Sequence, residues 1–190
     1  MKKLLLIGWV MLLGGFLFMA RTRESELPIY DASTVVLRSV KGVWMCDGKP
    51  FTGTLISYTY NHDTLSVSHY QNGLEHGEWK TFYENQKPRS IRFYDRGKKT
   101  GTVTGWHDNG KLQVTAKFVN DEYEGELREW DSAGQLLKLL TYSHGHEAGR
   151  QRAWYPDGKV RSNYTVIDGR RYGLLGTKHC INVSDSIRSL

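Results

Sequence analysis

Glycine returns every 24 residues along this chain, at Gly53, Gly77, Gly101, Gly125, Gly149 and Gly173. An aromatic column keeps the same spacing at Tyr58, Phe82, Trp106, Trp130 and Trp154, and another reads Tyr70, Tyr94, Phe118 and Tyr142. A fixed period of this length means a stack of small supersecondary units, none able to bury its apolar face alone. Such a stack presents a surface and seldom builds the deep concave site that catalysis needs.

One unit runs from Gly77 to Asp95. Two alternating, aromatic-rich runs, Gly77-Glu78-Trp79-Lys80-Thr81-Phe82-Tyr83 and Pro88-Arg89-Ser90-Ile91-Arg92-Phe93-Tyr94, flank a short polar turn, which is the pattern of a β-hairpin. Later copies carry stronger turns: Asp108-Asn109-Gly110-Lys111, Ser132-Ala133-Gly134-Gln135 and Pro156-Asp157-Gly158-Lys159. Asn-Gly and Asp-Gly supply the positive φ that such turns demand. A second set joins each hairpin to the next, at Gln71-Asn72-Gly73, Asp95-Arg96-Gly97, Asn120-Asp121 and His144-Gly145. The expected fold is all-β: a meander of hairpins over residues 42–174, in one elongated antiparallel sheet of about ten to twelve strands. Residues one period apart then share a face. On this reading Trp106, Trp130 and Trp154 lie in one buried stripe, and each phase glycine lets a neighbouring ring lie flat on its backbone. Trp79, Trp130, Trp154 and Tyr155 also stand beside charged residues, as a flat recognition face would require.

The N-terminus differs in kind. Lys2 and Lys3 precede an apolar run from Leu4 to Ala20, the pattern of an export signal or a membrane anchor over residues 1–20. No lipid-attachment cysteine follows, and Phe18 is bulky for a cleavage site, so cleavage and retention both stand. Either outcome places the repeats in the cell envelope, outside the cytoplasmic membrane, although Arg21 and Arg23 weaken that orientation. Residues 21–41 read as a linker. Residues 21–142 hold sixteen basic and sixteen acidic side chains, whereas residues 143–190 hold eight basic against four acidic. The surplus, including Arg150, Arg152, Arg161, Arg170 and Arg171, makes a candidate patch for an anionic membrane or an acidic protein.

Other chemistry is sparse. Cys46 and Cys180 are separated by about ten strands, or roughly 48 Å, far beyond the 7 Å a disulfide tolerates between Cα atoms. Cys46 therefore reads as a small core residue. His179 and Cys180 could hold a soft transition metal in a loop. The same tail, residues 175–190, could instead cap the last hairpin through Leu175, Ile181 and Val183, with Leu174 beside it. His62, His69, His76, His107, His144 and His146 are scattered without a third zinc ligand. No nucleophile motif or phosphate-cradling loop is evident. The expectation is a protein that is not an enzyme, with no catalytic residue, no cofactor, no metal and no nucleic-acid partner.

Tyr70-Gln71-Asn72-Gly73 with Gly77-Glu78-Trp79, and Trp154-Tyr155-Pro156-Asp157-Gly158-Lys159, resemble the MORN repeat in the shorter variant found in many bacterial proteins. The resemblance extends over about residues 42–174. Two departures stand out: Asp121 and Glu122 replace an inter-hairpin glycine, and Gly101-Thr102-Val103-Thr104-Gly105 lacks the tryptophan. Bacterial proteins with this variant are often catalogued as antitoxins of the YwqK type, and the longer relatives as membrane-proximal scaffolds. The resemblance thus implies a scaffold for a protein partner or a membrane surface, or alternatively an antitoxin that binds a toxin.

Overall fold

The computed structural model describes residues 27–176. Within them the chain forms β1 (Ile29–Asp31), β2 (Arg38–Val40), β3 (Val43–Cys46), β4 (Lys49–Pro50), β5 (Gly53–Tyr58), β6 (Thr64–Gln71), β7 (Leu74–Glu75), β8 (Gly77–Phe82) and β9 (Pro88–Asp95). It continues through β10 (Lys98–Trp106), β11 (Leu112–Val119), β12 (Glu122–Trp130), β13 (Leu136–Ser143), β14 (His146–Glu147), β15 (Gly149–Trp154), β16 (Val160–Ile167) and β17 (Arg170–Leu174). No helix occurs among the described residues. The apolar run Leu4–Ala20, expected as a helix, lies outside them, as do His179 and Cys180.

From β5 to β17 the strands follow one another in sequence order across a single 14-stranded sheet, as a meander of hairpins requires. Two departures occur at its N-terminal side. β1, inside the stretch read as a linker, is a parallel edge strand, with Tyr30 beside Leu55. The next three strands form a separate small sheet, β2-β3-β4. The reason is a slip in phase. Gly48 and Gly73 end equivalent turns but stand one residue off the period, and a one-residue slip turns every side chain to the opposite face. The small sheet instead docks on the Asn72-Gly73 turn. Trp44 N–H donates to Gly73 O (2.8 Å), and Gly73 N–H donates to Phe51 O (2.7 Å).

Two kinds of turn alternate. Within each hairpin, a hydrogen-bonded turn is followed by one left-handed residue: His62, Gln86, Gly110, Gly134 or Gly158. This is the three-residue hairpin loop. Between hairpins, both central residues have positive φ, as at Asn72 (51°) and Gly73 (76°) or Asp168 (48°) and Gly169 (73°). That is the type I′ turn, whose twist matches the flanking strands.

The glycine column has a different cause from the one expected. Gly77, Gly101, Gly125 and Gly149 sit at φ 73°, 68°, 78° and 65°. Each marks a kink where one strand outruns its neighbour. Between the pairs Ala116↔Leu127 and Phe118↔Tyr123, Lys117 alone faces Glu124, Gly125 and Glu126. The same slip separates β7 from β8 and β14 from β15. A Cβ added at Gly125 or Gly149 would meet no atom within 4 Å. Only left-handed backbone demands glycine there. Gly53 and Gly101 do meet a ring, with a Tyr30 ring carbon 2.7 Å and a Phe93 ring carbon 3.7 Å from where a Cβ would stand.

The aromatic columns fall on opposite faces. Rings from the second column anchor the core face. Tyr70 and Phe118 are buried, and ring follows ring through Phe51–Tyr70 (5.5 Å), Tyr70–Trp79 (5.3 Å) and Trp79–Tyr94 (4.8 Å). A second run links Phe118–Tyr123 (4.4 Å) and Tyr123–Tyr142 (5.0 Å). The first column does not form the buried stripe expected of it. Phe82, Trp106, Trp130 and Trp154 are half-buried and Tyr58 is exposed, all on the face opposite the core. Every one follows a β-bulge, at Ser57/Tyr58, Thr81/Phe82, Gly105/Trp106, Glu129/Trp130 and Ala153/Trp154. The aromatic's own strand keeps its alternation, and the extra residue resets the alternation of faces only in the partner strand.

Candidate functional site

A site on this fold has to be assembled from rows of side chains crossing the sheet. At the C-terminal hairpins, pairing sets Arg150 beside Thr165, Arg152 beside Asn163 and Ile167 beside Arg170. By strand alternation Arg150, Arg152 and Arg170 share the face that carries Trp130 and Trp154. Arg150 and Arg170 are exposed, and the Arg152 guanidinium lies 5.8 Å from the Trp154 ring centroid. None of the three has a carboxylate partner among the described residues. Exposed Tyr155 stands at the adjoining turn.

The remaining two arginines of the sequence-derived patch lie elsewhere. Arg161 is exposed at the bulge opposite Trp154. Arg171 is on the core face, where it donates to Glu147 through Nη2 (3.0 Å) and Nε (3.1 Å) and covers the Tyr164 ring. It is a cation already matched within the fold. Trp79, expected on the exposed recognition face, belongs instead to the core stack and donates its indole N–H to His69 O (3.0 Å).

Neighbouring cations show the ordinary arrangement. Lys80 pairs with Glu78, Arg128 with Glu126 and Lys138 with Glu129. Exposed pairs of this kind contribute little stability but cancel local charge. Arg150, Arg152 and Arg170 lack such a partner among the described residues, so their charge is not cancelled in this way.

Sequence reasoning missed Gln151. Its side chain is fully buried at the kink between β14 and β15. Oε1 accepts from Thr141 N–H (3.2 Å), and Nε2 donates to Thr141 O (2.7 Å) and Ala148 O (3.0 Å). Trp79 serves the first kink in the same way. The intervening copies place Val103 and Leu127 at that phase. A polar residue in an otherwise apolar column was the available signal.

Titration follows burial. Burial holds His69 below the ordinary histidine range, with Lys80 adding to the effect and Glu78 opposing it. Burial also raises the phenols of Tyr70, Tyr142 and Tyr164, with neighbouring carboxylates contributing. Cys46 is half-buried in the small sheet, its Sγ 3.9 Å from Asp47 Oδ2, and is free among the described residues. No group of three His, Cys, Asp or Glu side chains among the described residues is arranged to hold a metal ion. No helix among them is long and apolar enough to cross a membrane.

Comparison with known proteins adds a repeat identity. The family model of the MORN repeat variant matches residues 75–96, 99–120 and 123–144. No curated protein matches the chain. A crystal structure of a point mutant of S. aureus TarM, in complex with fondaparinux, alpha-GlcNAc-glycerol and UDP, is similar at 12% identity and a TM-score of 0.33. The similarity covers 57% of this chain and 21% of that one, so the chain spans about a fifth of that protein. Residues 75–144 thus carry three consecutive matches to the MORN repeat variant, and the hairpin period continues on both sides of them.

Proposed function

We propose that this chain is a non-catalytic interaction scaffold of the cell envelope, anchored or released on the outer side of the cytoplasmic membrane. Its C-terminal hairpins engage an acidic surface, either on a protein partner or on an anionic membrane. The observation that carries this reading is the set Arg150, Arg152 and Arg170, on one face of β15 and β17 and without carboxylate partners among the described residues. MORN repeats are generally associated with protein or membrane interaction, which supports the scaffold class. The apolar run Leu4–Ala20 behind Lys2 and Lys3 supports export.

Attraction between exposed charges fades as the Debye length falls from about 10 Å at 0.1 M salt to about 3 Å at 1 M. Co-sedimentation of the chain with anionic vesicles should therefore decline with salt, and the triple variant R150Q/R152Q/R170Q should lose it at low salt. A C-terminal alkaline phosphatase fusion should be active. An inactive fusion returns the chain to the cytoplasm and favours the antitoxin alternative, whose signature is tight capture of one small toxic protein. Wild-type binding that ignores salt and the three arginines refutes the charged surface.

A further inference from the structure

Gly105 stands apart from the other glycines. Among those described it is the one without positive φ, so the backbone does not call for glycine there. The equivalent positions carry side chains: Ser57, Thr81, Glu129 and Ala153. Opposite Gly105 is Val114, whose Cγ1 would stand 2.9 Å from an added Cβ. Val114 thus occupies the place of the missing side chain, and beside it Gly105 lines a dent on the core face of about 390 Å³. Its floor includes Ser90, whose hydroxyl is bonded to that of Thr81 (2.8 Å). Arg89, Arg92 and Gln113 are exposed at its rim.

The charge around the dent is unbalanced. Farther along the core face, Lys138 is matched by Glu129 and Arg171 by Glu147. Arg89 leans over the Tyr83 ring at 5.7 Å, and neither it nor Arg92 has a carboxylate partner among the described residues. Glu129, beside Val114 in the adjoining strand, is already held by Lys138 at 2.7 Å. Two guanidinium forks, two hydroxyls and a carboxamide thus border one concavity that contains no acid. Guanidinium groups match the planar, multidentate geometry of carboxylate and phosphate oxygens.

We propose that the Gly105 dent is a binding site for a soluble oxyanion ligand, with Arg89 and Arg92 as the charged clamp and Ser90, Thr81 and Gln113 as polar contacts. It lies on the face opposite the Arg150, Arg152 and Arg170 surface and is independent of it. Titration of the full-length, ¹⁵N-labelled chain with inorganic pyrophosphate, and separately with citrate, tests this assignment. Saturable shifts should centre on the Arg89 and Arg92 Nε–H groups and the Ser90 and Gly105 amides. R89Q/R92Q, checked for an unchanged far-UV spectrum, should weaken binding at least tenfold, whereas R150Q/R152Q/R170Q should leave it unchanged. A response to pyrophosphate alone identifies a phosphate-type ligand, and one to citrate alone a carboxylate-type ligand. Shifts spread evenly over Arg150, Arg161 and Arg170, no saturable shift with either anion, or equal affinity in R89Q/R92Q overturns the site.

Discussion

Replacing Gln151 should unlock the β13–β15 junction. Its carboxamide is fully buried and makes three hydrogen bonds, one from Thr141 N–H and one each to the carbonyls of Thr141 and Ala148. Thr141 O also accepts from Ala148 N–H (2.9 Å), so it keeps a partner when the side chain is removed. Thr141 N–H loses the partner that the kink leaves it. At about 0.5–1.5 kcal/mol net for each bond, plus the cost of a small cavity, Gln151→Ala should destabilise this junction by about 2–4 kcal/mol. Gln151→Leu keeps most of the volume, as Leu127 does one period earlier, and should lose only about half as much. In a repeat array the loss stays close to the altered interface. Native-state hydrogen exchange is therefore the assay, because it reads local opening directly. At tenfold for every 1.4 kcal/mol, protection of the β13 and β15 amides should fall roughly 30- to 700-fold in the alanine variant. Amides in β8 and β9 should keep theirs. Protection of β13 and β15 within about threefold of wild type would refute the reasoning, since a buried three-bond side chain cannot be removed at so little cost.

Two other perturbations test separate parts of the account. Asp121 holds φ +71° where Gly73, Gly97 and Gly145 occupy the same turn position, and its Oδ1 accepts from Lys99 N–H at 2.8 Å. Asp121→Gly should stay within about 0.5 kcal/mol in thermal unfolding, with relieved backbone strain offsetting the lost bond, whereas Asp121→Ala loses the bond and keeps the strain, costing about 1–2 kcal/mol. His69 has its folded-state pKa lowered by burial, so the unfolded chain takes up its proton first as pH drops. Stability from this group is complete above the unfolded value near 6.5 and declines as pH falls from there toward the depressed folded value. A melting-temperature series from pH 8 to pH 5 should show that decline, and His69→Gln should flatten it; an equally steep series in the variant would remove His69 as its cause.

The parts of this fold that repeat were legible in the sequence, and the parts that reset the repeat were not. Asn72-Gly73, Arg96-Gly97 and His144-Gly145 announce type I′ turns through residues that accept positive φ, and the structure has them there. The glycine column gave the correct period, but its cause lies in the two-residue slips, which depend on pairing between strands and leave no local motif. The bulges opposite Trp106, Trp130 and Trp154 are equally silent, although they shift the alternation in the partner strands β11, β13 and β16. Charged neighbours in sequence put Trp79 on an exposed recognition face, and the period put Trp130 in the core. Of the basic patch, the surplus of charge was legible. The pairing of Arg171 with Glu147 was not, because those residues meet only through the register of β15, β16 and β17.

Gly125 gives the most direct test of the claim that the 24-residue glycine column encodes left-handed kinks. Its φ is +78°, and a Cβ placed there would meet no atom within 4 Å. Steric crowding by neighbours is therefore excluded as a cost for L-alanine, and only the handedness of the backbone remains. Semisynthetic chains carrying L-alanine or D-alanine at this position differ in nothing else. L-alanine should cost about 1–2 kcal/mol in equilibrium unfolding. D-alanine, whose preferred φ is positive, should match glycine or stabilise by about 0.4–1 kcal/mol through a stiffer unfolded chain. Equal stability of the two alanine forms would contradict the account.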